Sequence, residues 1–456
     1  MNKPGSAPRA HVREERKSSS MSSKTLQPLK GLENLAPELA GKKVLIIVEN
    51  LPLPFDRRVW QEAQTLVALG ATVSIICPTG KGYDEPYEFL DGVHIYRHPL
   101  PLDASTARGY LREYGAALWQ ETRLAWKIYF KTGFDVIHAC NPPDLIFLVA
   151  LPFKLIGKKF LFDHHDINPE LYEAKFGKRG FFWRLMVLLE RVTMFFADVS
   201  IATNESYKNI AVTRGKMDPK KVFVVRSGPD LGRVQPVPPN LALKKGRDFL
   251  VGYVGVMGDQ EGIDLLLAAA RHIVYDLGRT DIQFSLVGGG PSLNELKKMS
   301  SDMGLEDFVT FHGRAPDHEL FEVLSTADIC VNPDRVNPMN NLSTMNKILE
   351  YMAMRKPIVQ FDVTEGRHSA EEASLYASAN DPVDFAAKIL ELAADSEKRR
   401  EMGEIGYQRV LTQLSWEYQI PKLTAAYKAV LGLKTAALPA ASTDRNPAAA
   451  NQRSSR

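Results

Sequence analysis

The feature that most constrains this chain is an alternation of short apolar runs with helical patterns, which occurs twice along its 456 residues. The run VLIIV at 44–48 has no polar alternation, which is typical of a strand buried on both faces of a parallel sheet. A helical pattern that ends at Gly70 and a second run at 72–77 complete a strand–helix–strand unit. Further apolar runs of the first half lie at 93–96, 135–139, 159–163 and 198–202.

The alternation restarts after a proline-rich break, PVPP at 236–239. The later runs lie at 249–254, 282–287, 309–312, 329–332 and 357–362. Two consecutive units of this kind predict an α/β protein with two Rossmann-like domains that face one central cleft. In such folds ligands bind at the carboxyl ends of the strands, so the loops that follow the strands are the candidate sites.

The same pattern predicts where the domains begin and end. We expect a tail, two Rossmann-like domains, a C-terminal helix and a second tail. Both tails are predicted to be disordered, because they are rich in Ser, Ala, Pro and charge but poor in large apolar residues. The predicted ranges are 1–38, 39–238, 239–415, 416–435 and 436–456.

Composition excludes several classes of protein. With 45% hydrophobic and 24% charged residues the chain is a soluble globular type, and its net charge of +3 gives no general case for binding nucleic acid. Three cysteines without close pairing argue against a disulfide framework or a zinc ribbon and fit a reducing compartment. No apolar run reaches the ~20 residues of a membrane span, and the N-terminus lacks the apolar core of a signal peptide. We therefore expect a cytoplasmic protein.

Glycine marks three successive loops of the second half. They carry Gly255 and Gly258, Gly288, and Gly313 with Arg314. Glycine lets the backbone approach a phosphate closely, although each loop alone is equally explained as an ordinary tight turn. Three such loops at one sheet edge indicate a nucleotide pocket.

The segment NNLSTMNKILEYMA at 340–353 is the most informative loop. Ser343 or Thr344 is predicted to cap a helix whose first N–H groups remain free for an anion. Lys347 would lie in the first turn and Glu350 on the same face. Free N–H groups and a lysine suit a diphosphate, and a carboxylate one turn deeper suits ribose hydroxyls. The alternative is a surface Lys–Glu pair.

Two loops of the first half are candidates for the opposite wall of the cleft. Asp56 could cap the following helix while Arg57 and Arg58 offer cations, or the arginines could simply be solvated. Asp163–Asp166 reads DHHD after an apolar run, and alternation along an extended segment allows only one of its histidines to face the cleft. The HHD triplet does not converge on one metal ion without help, so no metal site is expected.

The motifs around these loops resemble those of retaining GT-B glycosyltransferases of family 4. LEYMAMRKPIVQ at 349–360 is similar to that family's LEAMA-x-G-x-PVV segment, and LVGGGP, FHGRAP and ADICVNP follow its other second-domain motifs in order. DRRVWQEA, HACNPPD (which contains Asn141) and DHHDINPEL resemble a bacterial subgroup that adds sugars to lipid-linked or polysaccharide acceptors. The likeness spans about residues 42–432.

The resemblance implies a GT-B fold whose last helix crosses back to the first domain and which uses no catalytic metal or other cofactor. The family's ribose-binding glutamate matches Glu350, its histidine near the transferred sugar matches His165, and the uracil would lie near Gly313 and Arg314. The residues implied as catalytic are thus His165, Lys347 and Glu350. The donor-binding set is Gly255, Gly258, Gly288, Gly313, Arg314, Asn341, Ser343, Thr344 and Glu350, and the acceptor or cleft set is Asp56, Arg57, Arg58, Asn141, His164 and Asp166.

Three positions depart from the family pattern. Its first motif glutamate falls at Leu342, its diphosphate-binding arginine at Val256, and its lysine before the glycine at Glu261. The diphosphate would then be bound by Lys347 and by the helix N-terminus at Ser343–Thr344. Further candidate cations are Arg226, Arg335, Arg57 and Arg58, and Asn340 or Asn341 could replace the lost glutamate.

The sequence thus predicts a retaining glycosyltransferase that moves a sugar from a nucleotide-diphospho-sugar, with UDP-sugar as the first candidate, to a glycan or lipid-linked acceptor in cell-surface polysaccharide synthesis. Two alternatives stay open: a nucleotide-sugar epimerase, and a degenerate partner subunit that binds without turnover. The stretches 110–131 and 181–196 combine Trp, Phe and Leu with Arg and Lys. They indicate either helices on the inner face of the cytoplasmic membrane or ordinary core-facing helices.

Overall fold

A computed structural model describes residues 32, 35–99 and 107–433 of the chain. The strands are β1 (Lys43–Ile47), β2 (Thr72–Pro78), β3 (Tyr87–Leu90), β4 (Val93–His98), β5 (Val136–Cys140), β6 (Lys159–His164), β7 (Val199–Ala202), β8 (Val222–Val224), β9 (Phe249–Val254), β10 (Ile282–Val287), β11 (Val309–Gly313), β12 (Ile329–Asn332), β13 (Ile358–Phe361) and β14 (Ser374–Ala377). The α-helices are α1 (Arg57–Ala68), α2 (Ala107–Lys131), α3 (Phe147–Leu155), α4 (Asn168–Phe176), α5 (Phe181–Phe196), α6 (Glu205–Thr213), α7 (Ile263–Arg271), α8 (Leu293–Asp302), α9 (Asp317–Thr326), α10 (Pro338–Leu342), α11 (Asn346–Ala353), α12 (Thr364–Ala370), α13 (Pro382–Ala394), α14 (Ser396–Arg409) and α15 (Ile420–Val430).

The first half of the chain forms one twisted sheet. Its strand order is β3-β4-β2-β1-β5-β6-β7-β8, and every neighbouring pair is parallel except β3 with β4. β1 lies at the centre, where Val44 pairs with Val73 of β2 and with Val136 of β5. The chain order reverses between β1 and β5, so the crevice above these two strands is where this fold binds ligands.

The second half repeats the design with six parallel strands in the order β11-β10-β9-β12-β13-β14. Counted from β9, this is the 3-2-1-4-5-6 order of a Rossmann fold, with its reversal between β9 and β12. The prediction of an α/β protein with two Rossmann-like domains is confirmed.

The strands consist of continuous apolar runs because both faces of each sheet are buried. In β1, Val44 and Ile46 belong to one buried cluster, whereas Leu45 and Ile47 belong to the cluster on the opposite face. This explains why VLIIV shows no polar alternation: alternate side chains point to opposite faces, and here neither face is solvated.

The last helix returns to the first domain, as predicted. In α15 and the turn before it, Trp416, Leu423 and Tyr427 are buried in the cluster that contains Val44 and Ile46. The Trp416 indole donates a hydrogen bond of 2.9 Å to Thr65 Oγ1 of α1, and Tyr427 Oη lies 2.7 Å from His138 Nδ1 of β5. The chain therefore passes twice between the domains, once after β8 and once before Trp416.

Two expectations need correction. The predicted tail 1–38 is ordered at its end, because Ala36 is buried in the core and Glu38 pairs with Lys428 of α15 at 3.2 Å. Residues 1–31, 33–34 and the tail from 434 onwards lie outside the described residues. The edge strands β3, β8 and β14 were not predicted either, since they are only three or four residues long.

Among the residues described, no helix combines the length and the apolar character that a membrane crossing requires.

Candidate active site

The glycine loops at the carboxyl ends of β9, β10 and β11 pack against one another. Gly288 has φ +147°, and a Cβ there would lie 1.7 Å from the carbonyl oxygen of Gly255. The Gly288 N–H donates a hydrogen bond to the Gly313 carbonyl at 2.8 Å. Gly288 is thus required by the contact between the loops, and the predicted approach of this backbone to a phosphate stays a prediction. Gly258 instead donates its N–H to Glu261 Oε2 at 3.1 Å.

The helix that carries Lys347 and Glu350 begins later than predicted. α11 starts at Asn346, and its N-cap is Met345, which has no side chain able to cap. The prediction that Ser343 or Thr344 caps this helix is wrong, because α10 occupies 338–342 and Ser343 ends it. The consequence favours an anion site, since the first N–H groups of α11 keep no side-chain acceptor.

Ser343 and Thr344 instead join the two domains. Ser343 Oγ donates to the Met339 carbonyl at 2.9 Å and lies 3.1 Å from the Tyr207 hydroxyl of α6. Thr344 Oγ1 accepts a hydrogen bond of 3.0 Å from Asn204, the residue that caps α6. The two hydroxyls therefore fix the segment before α11 to the first domain.

Lys347 lies against the first glycine loop but already has a partner. Its Nζ is 2.7 Å from Asp334 Oδ1, at the end of β12, and 5.2 Å from the centre of the Tyr253 ring. A Cβ on Gly255 would lie 3.3 Å from Lys347 Cε. Burial raises the pKa of Asp334 above its ordinary value, although Lys347 opposes the shift. Lys347 is thus at the predicted place, with a buried counter-ion that the sequence did not reveal.

Glu350 reaches the cleft and contacts two arginines. Its Oε1 accepts a hydrogen bond of 2.8 Å from Arg233 Nη2 and lies 3.8 Å from Arg57 Nη1. Both arginines also pair with Asp317 at the start of α9, at 2.7 Å for Arg57 and 3.0 Å for Arg233. The Glu350 side chain keeps 18% of its surface exposed. A cavity of about 280 Å³, lined by Trp60 and by these arginines, opens at Glu350.

Arg314 is the cation of the glycine-loop edge that keeps a free charge. Within the described residues it forms no ion pair, and its guanidinium lies 4.7 Å from the centre of the Phe55 ring across the cleft. The other candidate cations are neutralised: Arg335 pairs with Asp264 and donates to the Asp259 carbonyl. Arg314 is therefore the side chain best placed to meet an added negative charge.

The positions that depart from the family pattern differ in exposure. Leu342 packs into the first-domain apolar cluster, whereas Val256 is 56% exposed. Buried Asn340 donates both amide hydrogens, to the carbonyls of Gln260 and Arg335, so it is not available to replace the lost glutamate. Asn341 stays partly exposed and accepts from the Thr364 N–H at 3.4 Å.

On the first-domain side, His165 is the histidine that faces the cleft. Its side chain is 15% exposed and its Nε2 lies 2.6 Å from Asp163 Oδ2. Burial alone would lower the pKa of His165, but the Asp163 carboxylate raises it above its ordinary value. Asn141 Oδ1 accepts from the N–H groups of His165 and Asp166, at 2.7 and 3.1 Å, and so fixes the loop.

His164 does not belong to the cleft set. It is fully buried between Phe162 and Tyr207, and burial lowers its pKa to about 3, so the ring is neutral. Alternation along β6 points it into the core and leaves His165 at the surface. Burial also raises the pKa of Asp166, while the nearby His165 acts in the opposite direction.

Asp56 and Arg58 have structural partners. Asp56 caps α1 by accepting from the Val59 N–H at 3.2 Å, as the capping interpretation predicted. Arg58, predicted as a cleft cation, is 8% exposed and contacts Asp163 and Glu62, each at 3.2 Å. Because the Arg58 guanidinium already pairs with these two buried carboxylates, it is not available to bind a diphosphate. Arg57, 53% exposed, is the arginine of this pair that reaches the cleft.

The sequence did not reveal the buried network behind His165. His138 lies 3.3 Å from Asp163 and 3.7 Å from Glu62, and Cys140 is nearby. His138, Cys140 and Asp163 bring three potential metal-binding atoms within 4.8 Å of one another. However, Asp163 is already paired with Arg58 and His165, and burial raises the pKa of the Cys140 thiol well above its ordinary value. These partners make the cluster an ion-pair network that orients His165.

Two family models match the chain on either side of the linker. The model described as Glycosyltransferase Family 4 matches residues 56–233, and the one described as Glycosyl transferases group 1 matches residues 248–395. The first range lies in the first Rossmann-like domain and the second range in the second, and both contain residues of the cleft. The chain is a GT-B glycosyltransferase of the family 4 type.

Known proteins agree with this assignment. The glycosyltransferase is 26% identical to α-maltose-1-phosphate synthase of Mycolicibacterium smegmatis, over 60% of this chain and 74% of that one. It is 29% identical to D-inositol 3-phosphate glycosyltransferase of Geodermatophilus obscurus, over 54% of this chain and 56% of the relative. Sucrose-phosphate synthase of Thermosynechococcus elongatus shares the fold with a TM-score of 0.72 at 20% identity, over 86% of this chain and 99% of the other.

Proposed function

We propose that this glycosyltransferase moves a sugar, with retention of anomeric configuration, from a nucleotide-diphospho-sugar to a glycan or lipid-linked acceptor. The observation that carries the proposal is the position of Glu350, partly exposed in the cleft and held there by Arg233. A carboxylate fixed in this way can accept hydrogen bonds from both hydroxyls of a ribose. UDP is the first candidate nucleotide, because the family resemblance implies a uracil near Gly313 and Arg314.

The leaving diphosphate needs positive charge as the glycosidic bond breaks. The uncapped N-terminus of α11, Lys347 one turn before Glu350, and the unpaired Arg314 supply it at one edge of the second sheet. Since Asp334 balances Lys347, the N–H groups and Arg314 have the larger part. This arrangement replaces the arginine and lysine that Val256 and Glu261 have displaced.

His165 is the proposed contact to the transferred sugar. Asp163 keeps its ring protonated at higher pH than an isolated histidine, and a protonated imidazole donates a hydrogen bond to a sugar hydroxyl. Asn141 fixes the backbone of the same loop. The remaining first-domain candidates that reach the cleft, Arg57 and Asp166, would contact the acceptor or the donor sugar, and no metal is assigned a role.

The acceptor side is proposed to work at a membrane surface, because α5 buries a charged side chain and exposes apolar ones. Its buried side includes Met194 and Glu190, which pairs with Arg214 at 2.6 Å, whereas its opposite face exposes several apolar side chains. Phe181, Leu185, Leu188 and Phe195 are 74, 37, 55 and 79% exposed and follow helical spacing on one face. Neighbouring helices add Trp119, Phe130 and Leu155, which are 68, 79 and 81% exposed. This apolar surface, with Arg184 and Arg191 on α5, fits an anionic lipid surface at the inner face of the cytoplasmic membrane.

A donor panel tests the proposed reaction. The full-length protein is incubated with UDP-, GDP- and ADP-sugars, with and without polyprenyl-diphosphate-linked glycan acceptors, and released nucleoside diphosphate is measured. We expect acceptor-dependent release from a UDP-sugar and, by NMR, a product with the anomeric configuration of the donor. An inverted product would contradict the retaining mechanism. Isomerised donor without acceptor would indicate an epimerase, and nucleotide binding without any turnover would indicate a degenerate partner subunit.

A further inference from the structure

A second cavity lies on the hinge side of the molecule, where the chain passes between the domains. It has a volume of about 750 Å³, within the range of about 300–1,000 Å³ that small-molecule sites occupy. Its walls come from α6, the turn before β8, the end of α12, the segment after α14, and α15. None of the glycine loops or α11 residues lines it, so it is separate from the donor cleft.

The hinge cavity is strongly basic. Five side chains that line it are cationic and only two are acidic. The cations are Lys208, Lys220, Arg226, Arg409 and Lys422, and the acids are Glu205 and Glu371. The first domain and α15 contribute four of the cations and the second domain contributes Arg409, so a ligand here would touch both domains.

Most of this charge is not neutralised by the protein. Within residues 35–99 and 107–433, the ion pairs of the cavity are Arg409 with Glu371 at 2.7 Å and Arg226 with Glu365 at 3.5 Å. Lys422 finds only an amide oxygen, that of Gln419, at 3.3 Å. Like charges held together without counter-ions are unfavourable in a protein unless a ligand compensates them.

The cations also suffer from burial. Arg226 is 5% exposed, although its guanidinium contacts only Glu365 and, at 3.5 Å, Thr344 Oγ1. Burial and then the neighbouring Arg226 lower the pKa of Lys422, while Glu205 opposes the shift. Burial likewise lowers the pKa of Arg409, with Glu371 acting against it and Arg226 with it. An anion in the cavity would remove this penalty for all three groups.

We propose that the hinge cavity is a binding site for a ligand with a diphosphate or two neighbouring phosphate groups, distinct from the sugar donor. Guanidinium forks and lysine ammonium groups from both domains match phosphate oxygens. Because the cations come from both domains, a ligand with two phosphate groups can contact Arg409 of the second domain with one group and the lysines of the first with the other. The site is independent of the proposed transfer reaction.

Titration calorimetry of the full-length protein with sodium diphosphate tests the site, and substitutions in the hinge cavity distinguish it from the donor cleft. The variants are Lys208→Met/Lys220→Met at the rim and Lys422→Met at the wall. The matched control is Lys297→Met/Lys298→Met, which removes two exposed lysines of α8. We expect wild type and control to bind diphosphate alike and more tightly than inorganic phosphate, and both cavity variants to weaken binding by about tenfold or more.

The proposal is overturned if wild type binds no diphosphate, if the cavity variants bind like wild type, or if the control loses as much affinity as they do. Flotation with phosphatidic acid vesicles separates the sources of the phosphate. Weaker flotation of Lys208→Met/Lys220→Met than of the control assigns the site to a lipid headgroup, and equal flotation assigns it to a soluble ligand. Failure of UDP to bind would contradict the proposed function alone, because the lysine variants still assign the diphosphate to the cavity.

Discussion

At the scale of single residues, the two walls of the cleft depend on charges that are balanced in different ways. On the second-domain wall, Lys347 pairs with one carboxylate and Glu350 with two arginines, and both keep access to the cleft. On the first-domain wall, the buried carboxylate of Asp163 contacts Arg58, His138 and His165. Because Arg58, His138 and His165 all favour the ionised form of Asp163, its pKa lies well below the ordinary value despite burial.

Glu62 is the carboxyl group of this network whose pKa is raised. Burial and then the Asp163 charge raise its pKa from 4.5 to about 7. A group whose pKa is higher in the folded state contributes stability that is lost as pH rises from its unfolded to its folded pKa. Between about pH 4.5 and 7 the wild type therefore loses stability that a Glu62→Gln variant, which cannot ionise, keeps.

We predict that Glu62→Gln has near wild-type stability at pH 5 and gains on the wild type by up to about 3 kcal/mol at pH 8. Urea unfolding at the two pH values measures the difference. Glu397→Gln, at an exposed ion pair with Arg400, serves as the control and should show no such change. The same difference between Glu62→Gln and wild type at both pH values would show that Glu62 does not titrate in this range.

The sequence predicted which residues carry the candidate site better than it predicted their partners. Lys347 and Glu350 were placed on one helix from their spacing alone, because neighbours within a helix are a local property. Arg233 lies 117 residues from Glu350, and Asp317 belongs to a different loop. Such contacts exist only once both sheets have formed, and no pattern in the sequence predicts them. His165 was chosen over His164 by resemblance, and the alternation of β6 explains that choice.

At the scale of elements, α5 shows where a sequence pattern is ambiguous. Apolar residues interrupted by Arg184, Glu190 and Arg191 fit either a core helix or a membrane-surface helix. The structure shows how the helix faces, because Glu190 is buried with Arg214 while one apolar face is open, and the membrane contact of that face stays a proposal. The position of a single acidic residue thus decides which way the helix faces, and the sequence alone does not give its partner.

The membrane proposal predicts the behaviour of a Leu188→Gln/Phe195→Gln variant. Both side chains are exposed, so folding should be unaffected, whereas burial of each in lipid contributes about 1.5–3 kcal/mol. We expect wild type to float with phosphatidylglycerol vesicles and the variant to partition at least about tenfold more weakly.

The control for this flotation is Leu241→Gln/Val383→Gln, which changes side chains of the second domain that are 69 and 52% exposed. It should float like wild type. Absence of wild-type binding at low salt, or equal binding of both variants, would remove α5 from the membrane contact.

At the scale of the whole molecule, contacts of different kinds join the two domains. α15 completes the first-domain core, Asn204 and Tyr207 bind the segment before α11, and Arg57 pairs with Asp317 across the cleft. The first is apolar and buried, while the last is exposed and therefore weak. The buried contacts of α15 therefore contribute more to the stability of the molecule than the exposed pair does.

The contribution of α15 can be measured with one type of substitution at two positions. Leu423 is fully buried in the first-domain core, whereas Leu241 is 69% exposed at the start of the second domain. Leu423→Ala should lower the unfolding free energy of the first domain by about 2–5 kcal/mol, and Leu241→Ala should change it by less than about 0.5 kcal/mol. Denaturant titration of the full chain measures both. Equal, small effects would show that α15 is not part of that core.

The central claim is that this cleft holds the donor nucleotide through Glu350. Its most direct test is the dissociation constant of UDP, measured by titration calorimetry for wild type, Glu350→Gln and Asp317→Asn. Both carboxylates contact the same two arginines, so Asp317→Asn reports the effect of the ion pairs alone. We predict that Glu350→Gln weakens UDP binding by about 10- to 100-fold, and Asp317→Asn by less than about threefold. Wild-type affinity in Glu350→Gln, or equal losses in both variants, would contradict the account.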